Sequence, residues 1–572
     1  MFRKNDQHLQ MPLFSSINAL PDKLQKRLAE SWSGTFYHEF FVRLDETPFA
    51  VLYSDEASRP NIPINVLVGL ETLKSGFGWS DEEMYDHFCY DVQVRYALGY
   101  RDLSEGHFEL RTVYNFRQRV TAHMQATGEN LIETAFEQVT DEQIAAFELK
   151  THNLRMDSTL IASNIRDMSR LQLLVEVLQR VHRMLAEPEQ QRYAAEFAPY
   201  RQGSSGQYIY HLKGEDSQRH LQRIGELMHQ LLIELADTYV ETPTYQLLVR
   251  VFQEHFVNRA DAVQVQAGAA LRADSLQSPD DGTATYRQKR GQGHQGYVSN
   301  GTETCHPDNP FQVIVQLQTE PNNTDDAEML VDALPKLKAR TQVGQIDTDG
   351  GYNSPTVDTA MRENQVVQIQ SAIRGRPPAA EKITLDDFDW QTDADGQPQT
   401  VTCPQGQHVI VTAGRQASRY RAAFAAADCE TCPCREQCPT RSLKRKPEQV
   451  LRFSQAEMDL ALRRQRSAEA RAHKQNLRPA VEATMRALKH PFGNGKVPVR
   501  GLPRVSMVMI GSAAMNNVRQ INRYLNRRRK TKTGRLDPSQ PSNSSIFRSF
   551  YTRFRAYLRS APCIEPFWAF QF

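Results

Sequence analysis

The stretch Asn476-Leu477-Arg478-Pro479-Ala480-Val481-Glu482-Ala483-Thr484-Met485-Arg486-Ala487-Leu488-Lys489 reads as helix with its charges gathered on one side. A helix turns about 100° per residue, so Arg478, Glu482 and Lys489 share one face. A carboxylate between two cations, on a rigid element, suits holding a divalent cation near phosphates. Two upstream acids stand in strand-like settings: Asp157 in Leu154-Arg155-Met156-Asp157-Ser158-Thr159, and Asp349 in Gln345-Ile346-Asp347-Thr348-Asp349-Gly350-Gly351-Tyr352. Three acids delivered from separate elements can converge on a metal pair.

A chain of 572 residues exceeds one ordinary core and implies several domains. It has 40% apolar residues, no apolar run long enough for a bilayer and no export signal core after Met1-Phe2-Arg3-Lys4, so a cytoplasmic protein without membrane contact is expected. The net charge of +2 hides an asymmetry. Residues 500–572 carry fourteen of the 69 Lys and Arg but two of the 67 acids, leaving 55 bases and 65 acids elsewhere. A basic C-terminal segment on a mildly acidic body fits a localised polyanion contact, or else a solvated tail.

Residues 1 to about 150 read as helical. Ser80-Asp81-Glu82-Glu83 has the capping-box pattern, and its helix is expected to run through Met84, Phe88 and Val92. Leu110–Arg119 then makes a basic final helix, either a major-groove reader or a packing element. Strand signals at 152–159, 296–300, 311–317, 343–349 and 366–370 alternate with helical ones, which implies an α/β core. A helical insertion spans about 169–275, and 376–450 reads as loop-rich. One long helix is expected over about 455–490, followed by an apolar helix over 505–525.

Phosphodiester cleavage by two metals requires acidic ligands that hold the ions about 4 Å apart. Carboxylate oxygens suit Mg²⁺, a hard cation that keeps water and phosphate as its other ligands. An isolated Asp at a strand end is as often a cap or turn residue. Asp347 competes with Asp349, since residues two apart on a strand face the same way.

The Arg478, Glu482 and Lys489 spacing resembles the signature of DDE-type bacterial insertion-sequence transposases. The family's Tyr, three places before the Arg, is Gln475 here. The resemblance extends through Met156-Asp157-Ser158-Thr159, Ser278-Pro279-Asp280-Asp281, Ala284-Thr285-Tyr286-Arg287, Gly296-Tyr297-Val298, Glu303-Thr304-Cys305 and Asp349-x-Gly351-Tyr352. Together these blocks look like the insertion-sequence group numbered eleven-eighty-two. The family's Asp-x-Gly-Tyr pattern selects Asp349 over Asp347.

The resemblance implies an RNase H-like mixed five-stranded sheet with helical and zinc-binding insertions, after an all-helical N-terminal domain. The expected segments are 1–150 (helical, DNA-binding), 151–375 (first part of the core), 376–450 (cysteine insertion), 451–530 (second part of the core) and 531–572 (basic aromatic tail). It implies Asp157, Asp349 and Glu482 as catalytic ligands of two Mg²⁺ or Mn²⁺ ions, with Arg478 and Lys489 on phosphates. The activity implied is binding of terminal inverted repeats, metal-dependent strand cleavage and strand transfer into target DNA, by a nucleoid-associated bacterial protein acting as a homodimer. The alternatives are a catalytically silent DNA-binding regulator and a nuclease that only hydrolyses.

Five of eight Cys crowd into Cys403–Cys438. Clustered Cys in a reducing compartment favour tetrahedral Zn²⁺, structural when four thiolates close the shell. Cys403, Cys429, Cys432 and Cys438 match the family's four places, with Cys434 as a spare. Arg527, Arg528, Arg529 and Lys530 exceed what a helix C-terminus needs and point to backbone phosphate. The aromatic and basic residues of 547–559 could dock on protein or DNA.

Overall fold

Leu154, Arg155, Met156 and Asp157 are buried in succession, as a strand covered on both faces requires. This strand, β1 (Asn153–Ala162), is the centre of a mixed sheet with β2 (Thr285–Lys289), β3 (Gln292–Thr304), β4 (Ile314–Pro321), β5 (Gln345–Thr348) and β6 (Val367–Gln370). The computed structural model describes residues 1–532 except 11–14, 55, 57–59, 211, 213–215, 260–261, 374–380, 394, 444–445 and 473–478. On one side of β1 the pairing is antiparallel, to β3 and on to β4; on the other it is parallel, to β5 and then β6. Setting β2 aside, the path β4-β3-β1-β5-β6 runs third-second-first-fourth-fifth in chain order. β2 extends the far half of β3 as a hairpin.

The N-terminal helices share a core with the sheet. Helix α1 (Ile64–Phe77) is buried at all but its last residue, so its Leu67, Leu70 and Leu73 join one apolar cluster with α2 (Leu131–Ala146), Ile314 and Leu317. Salt bridges tie α2 to α3 (Asp326–Arg340), the crossover between β4 and β5: Lys336 to Glu133 at 2.7 Å, and Arg340 to Asp141 at 2.7 Å. The next crossover, from β5 to β6, is α4 (Pro355–Glu363). The capping box at Ser80 forms, but its helix stops at Tyr90, because Asp91 caps a new one, Val92–Ala97. In the basic helix Leu110–Thr127, Arg117 is held by Glu71 at 2.7 Å and Asp81 at 2.6 Å, facing inward rather than toward a groove.

The insertion between β1 and β2 is helical as expected, with Arg170–Met184, Ser217–Glu234 and Pro243–His255 around their own core. It also carries a small hairpin, Phe256–Arg259 with Ala262–Val265. The loop-rich expectation for 376–450 is corrected: strands Asp389–Thr392, Pro398–Thr402, His408–Ala413, Arg419–Ala425, Arg441–Ser442 and Glu448–Ser454 form a six-stranded antiparallel sheet. These strands are short and cover only one face, on a core of Phe388, Val401, Ala422, Phe424, Leu451 and Phe453, so they lack a long apolar signal.

Of the long helix expected over 455–490, the described residues form α5 (Gln455–Ala472) and α6 (Pro479–Lys489), with 473–478 outside them. Pro479 suits a first helical position, where the missing N–H has no intrahelical partner to lose. Gln475 and Arg478 lie outside the described residues. After α6 comes α7 (Leu502–Lys532). A side chain at Gly76 would meet Met515, and one at Gly511 would meet Ser75, so α1 and α7 cross at close approach. Residues 1–521 form one unit and 522–572 another. Within the second, Arg528 lies 5.6 Å from the Tyr524 ring and Arg529 donates to Asn526 at 3.1 Å. The tail after 532 lies outside the described residues.

Candidate active site

Strand register brings the first two acids together. Asn153, Leu154 and Arg155 of β1 pair with Gln345, Ile346 and Asp347 of β5. The same offset, carried two residues on, sets Asp157 level with Asp349, which directly follows β5. Adjacent strands lie about 4.8 Å apart, so side chains at one level of a parallel pair are neighbours. Asp349 Oδ1 accepts the Gly351 N–H at 2.6 Å, which orients that carboxylate. Tyr352 reports on the same neighbourhood from the opposite face of the sheet. Its buried hydroxyl donates to Asn300 Oδ1 at 2.7 Å. Burial drives its pKa well above the usual phenol value, with the negative charges of Asp326, Asp157 and Asp349 adding to the effect.

Asp347, the competitor, is buried against the sheet interior rather than at its edge. Its charge helps burial raise the Cys305 thiol to about 12.

The third acid comes on α6. Asp157 stands opposite Gly301 on β3, and residues directly opposed in an antiparallel pair face the same side. A side chain at Gly301 would meet the terminal methyl of Met485, so glycine lets α6 press onto the sheet beside Asp157. Two residue pairs earlier, on the same face, Arg155 opposes Glu303, and the two form a buried ion pair at 2.6 Å. Thr484 Oγ1 donates to both oxygens of Glu303, at 2.9 and 3.1 Å. Burial raises the Glu303 pKa, while Arg155 and Thr484 stabilise its charged form. This Arg155–Glu303–Thr484 link joins β1, β3 and α6 within two residues of Asp157 and of Glu482. Val481, Thr484, Met485 and Leu488 are the buried stripe of α6, and Glu482 is exposed one turn before Met485. Lys489 turns toward the sheet and donates to the Leu160 carbonyl at 3.5 Å. Burial and the charge of Lys289 lower its pKa.

Asp157 and Asp349 thus come to one level, and the Glu482 helix packs over that strand. Among the described residues, no group of three or more His, Cys, Asp or Glu stands at metal-holding separations. The donor chemistry nonetheless fits a hard divalent cation, since the acids present oxygens beside a buried framework that fixes their elements.

The cysteines behave similarly. Burial raises the Cys429 pKa, with Cys438, Cys432 and Cys403 as the next causes, so these three thiols lie near enough to act on Cys429. Cys434 instead receives a hydrogen bond from Gln405 at 3.3 Å. Thiolates are the donors that suit tetrahedral zinc, but among the described residues no three of these thiols stand at metal-holding separations.

Sequence reasoning missed the roles of Arg155, Gly301 and Thr484. The signal available was a glycine within a strand run and an Arg two residues before Asp157. Both require the β1–β3 register to be read.

Residues 402–522 match the family model described as transposase DDE domain. That span covers roughly a fifth of the chain, including four strands of the cysteine sheet, α5, α6 and most of α7, but neither Asp157 nor Asp349. The match supports a DDE transposase. No curated protein and no solved structure gives a match. Among the described residues no helix is long and apolar enough to cross a membrane.

Proposed function

We propose that this chain is a DNA transposase of an insertion-sequence element of the eleven-eighty-two group, with Asp157, Asp349 and Glu482 as its metal-binding acids. The observation that carries the reading is the shared level of Asp157 and Asp349 on adjacent parallel strands, beneath the helix that bears Glu482. The third-second-first-fourth-fifth strand order, with Asp349 just after the fourth, supports an RNase H-like core for 151–375 and 451–530.

Asp157, Asp349 and Glu482 hold two Mg²⁺ or Mn²⁺ ions. Such ions would supply the positive charge that stabilises a displacement at phosphorus. Lys489 and Arg478 fix the flanking phosphates, Arg by a two-pronged contact and Lys as a point charge. Hydrolysis breaks the P–O3′ bond at the element end, leaving a 3′-hydroxyl and a 5′-phosphate. In transfer that 3′-oxygen forms a new bond to a target phosphorus, and the target's own 3′-oxygen leaves with a proton. The N-terminal helices and the basic run Arg527–Lys530 bind terminal repeats and target, with two copies of the chain joining the two ends. Cys403, Cys429, Cys432 and Cys438 bind a structural Zn²⁺. The protein acts in the bacterial cytoplasm, on the nucleoid.

The test is a labelled duplex carrying the element end, incubated with Mg²⁺ or Mn²⁺ and run on a denaturing gel. Asp157→Asn, Asp349→Asn and Glu482→Gln are each expected to lower nicking and joined products on the order of 10²–10³-fold. Unchanged activity in one variant removes that residue from the site. DNA binding with no nicking under either metal favours a silent regulator, and nicking without joined products favours a nuclease.

A further inference from the structure

The hairpin of β2 and β3 does not end at the sheet. It turns through Arg290 and Gly291, both at positive φ (52° and 79°), the backbone of a tight two-residue hairpin turn. The hairpin thereby holds Lys289 beside the C-terminal half of β1. Lys289 and His294 line one wall of a groove of about 440 Å³. Its floor is the β1 backbone from Ser158 to Ser163, starting one residue after Asp157. Lys489 from α6 and Lys496 complete the far wall.

The charges in this groove are poorly matched internally. Lys489 is half-buried, and its pKa is lowered by burial and by Lys289. Its hydrogen-bond acceptor is a neutral backbone carbonyl, that of Leu160. Lys496 likewise donates to a carbonyl, that of Ile165, at 2.8 Å. Each ammonium has three donors, so both retain protons for another acceptor. Asp167 is the acid that lines the groove, and it is exposed. Gathering cations in a partly desolvated cleft is unfavourable unless an anion joins them.

We propose that this groove is a binding track for a DNA sugar–phosphate backbone, with Lys289, Lys489 and Lys496 on successive phosphates of the strand that runs past Asp157. The proposal rests on the transposase reading for its choice of DNA, and it assigns Lys289 and Lys496 a role that no motif marks. The hairpin acts as the outer wall of the track. Neither Lys touches the reacting phosphorus; they hold the strand whose scissile bond the acids reach.

The test measures binding in EDTA by fluorescence anisotropy, with a labelled duplex carrying the element end and a scrambled duplex of equal length. Lys289→Glu, at an exposed hairpin tip, and Lys496→Gln are compared with the wild-type chain, with melting temperature as the control for folding. Each variant is expected to lose about tenfold in affinity for both duplexes, and the slope of log affinity against log salt is expected to fall by about one per cation removed. Unchanged affinity and slope in both variants, or no binding of either duplex by the wild type, overturns the track. Because binding is read without metal, the two readings fail separately. Weakened binding in the variants of a chain that never cleaves keeps the track and sinks the enzyme. Cleavage with unchanged affinity does the reverse.

Discussion

The central mixed sheet and the cysteine sheet each carry residues of the metal-binding kind, and they bring those residues nearer one another by opposite means. In the first, Asp157 and Asp349 are far apart in sequence and meet because β1 and β5 pair in one register within a core shared with the N-terminal helices. In the second, Cys429, Cys432 and Cys438 are near neighbours in sequence, and only Cys403 is brought from a distance, across a sheet resting on a small apolar core. The acids are therefore placed by a framework that stands without metal. The thiols sit on a framework that a metal would complete. Removing metal should leave the first region folded and loosen the second.

The largest expected effect follows from that difference. Structural zinc contributes about 10 kcal/mol to small modules that depend on it. We expect a strong chelator, or Cys429→Ser, to release one zinc per chain in a colorimetric assay and to open 389–454 to limited proteolysis. The β1–β6 sheet should stay protected. Equal loss of protection in both regions would erase the contrast.

The next test sets two aspartates of one strand run against each other. Asp157→Asn and Asp349→Asn should lower strand cleavage on the order of 10²–10³-fold, the scale of removing one group that stabilises transition-state charge. Their melting temperatures should barely move. Asp347→Asn should do the converse, lowering the melting temperature while leaving cleavage within about tenfold, because Asp347 is buried beside Cys305 and Arg155 rather than at the strand's edge. Equal losses of cleavage at 347 and 349 would show that register does not separate their roles.

This pair also marks how far the sequence could be read. The strand around Asp157, the strand before Asp349 and the Glu482 helix were all legible as local patterns. Periodicity could not choose between Asp347 and Asp349, because both face the same side; resemblance chose, and the β1–β5 pairing sets Asp347 opposite Arg155. The cysteine sheet was illegible because its strands are short, exposed on one face and interrupted by turns. Gly301, Glu303 and Thr484 were out of reach for a different reason. Their importance lies in which residues oppose one another across β1, β3 and α6, and no local window contains that.

Thr484 tests the framework directly. It donates its single hydroxyl proton to a buried carboxylate, and a hydrogen bond to a charged group is worth about 1.5–3 kcal/mol. Thr484→Val keeps the shape but removes the hydroxyl. It should destabilise the chain by that amount and raise the Mg²⁺ concentration needed for half-maximal cleavage, since Glu482 rides on the same turn of α6. Thr484→Ser should restore both. A stability loss with an unchanged metal requirement would make Thr484 a packing residue and nothing more.

The smallest expected effect lies in the helical insertion, which serves as a reference for both sheets. His255 is buried and accepts a hydrogen bond from Arg170 Nε at 3.0 Å. Burial, then the Arg170 charge, lowers its pKa from 6.5 to about 4. In the unfolded chain the ring takes up a proton as pH falls through about 6.5, whereas in the folded chain it resists until about 4. Its contribution to stability is therefore complete above 6.5 and is lost as pH falls between those values. At pH 5.5 the loss from this group is about 1.4 kcal/mol, one pKa unit's worth. Hydrogen exchange at pH 7 and 5.5, corrected for intrinsic rates, should show faster opening of Pro243–His255 and Arg170–Met184, with little change in β1 or β5. Selective opening of the central sheet instead would mean that its buried Arg155–Glu303 pair, not the insertion, is the acid-sensitive element.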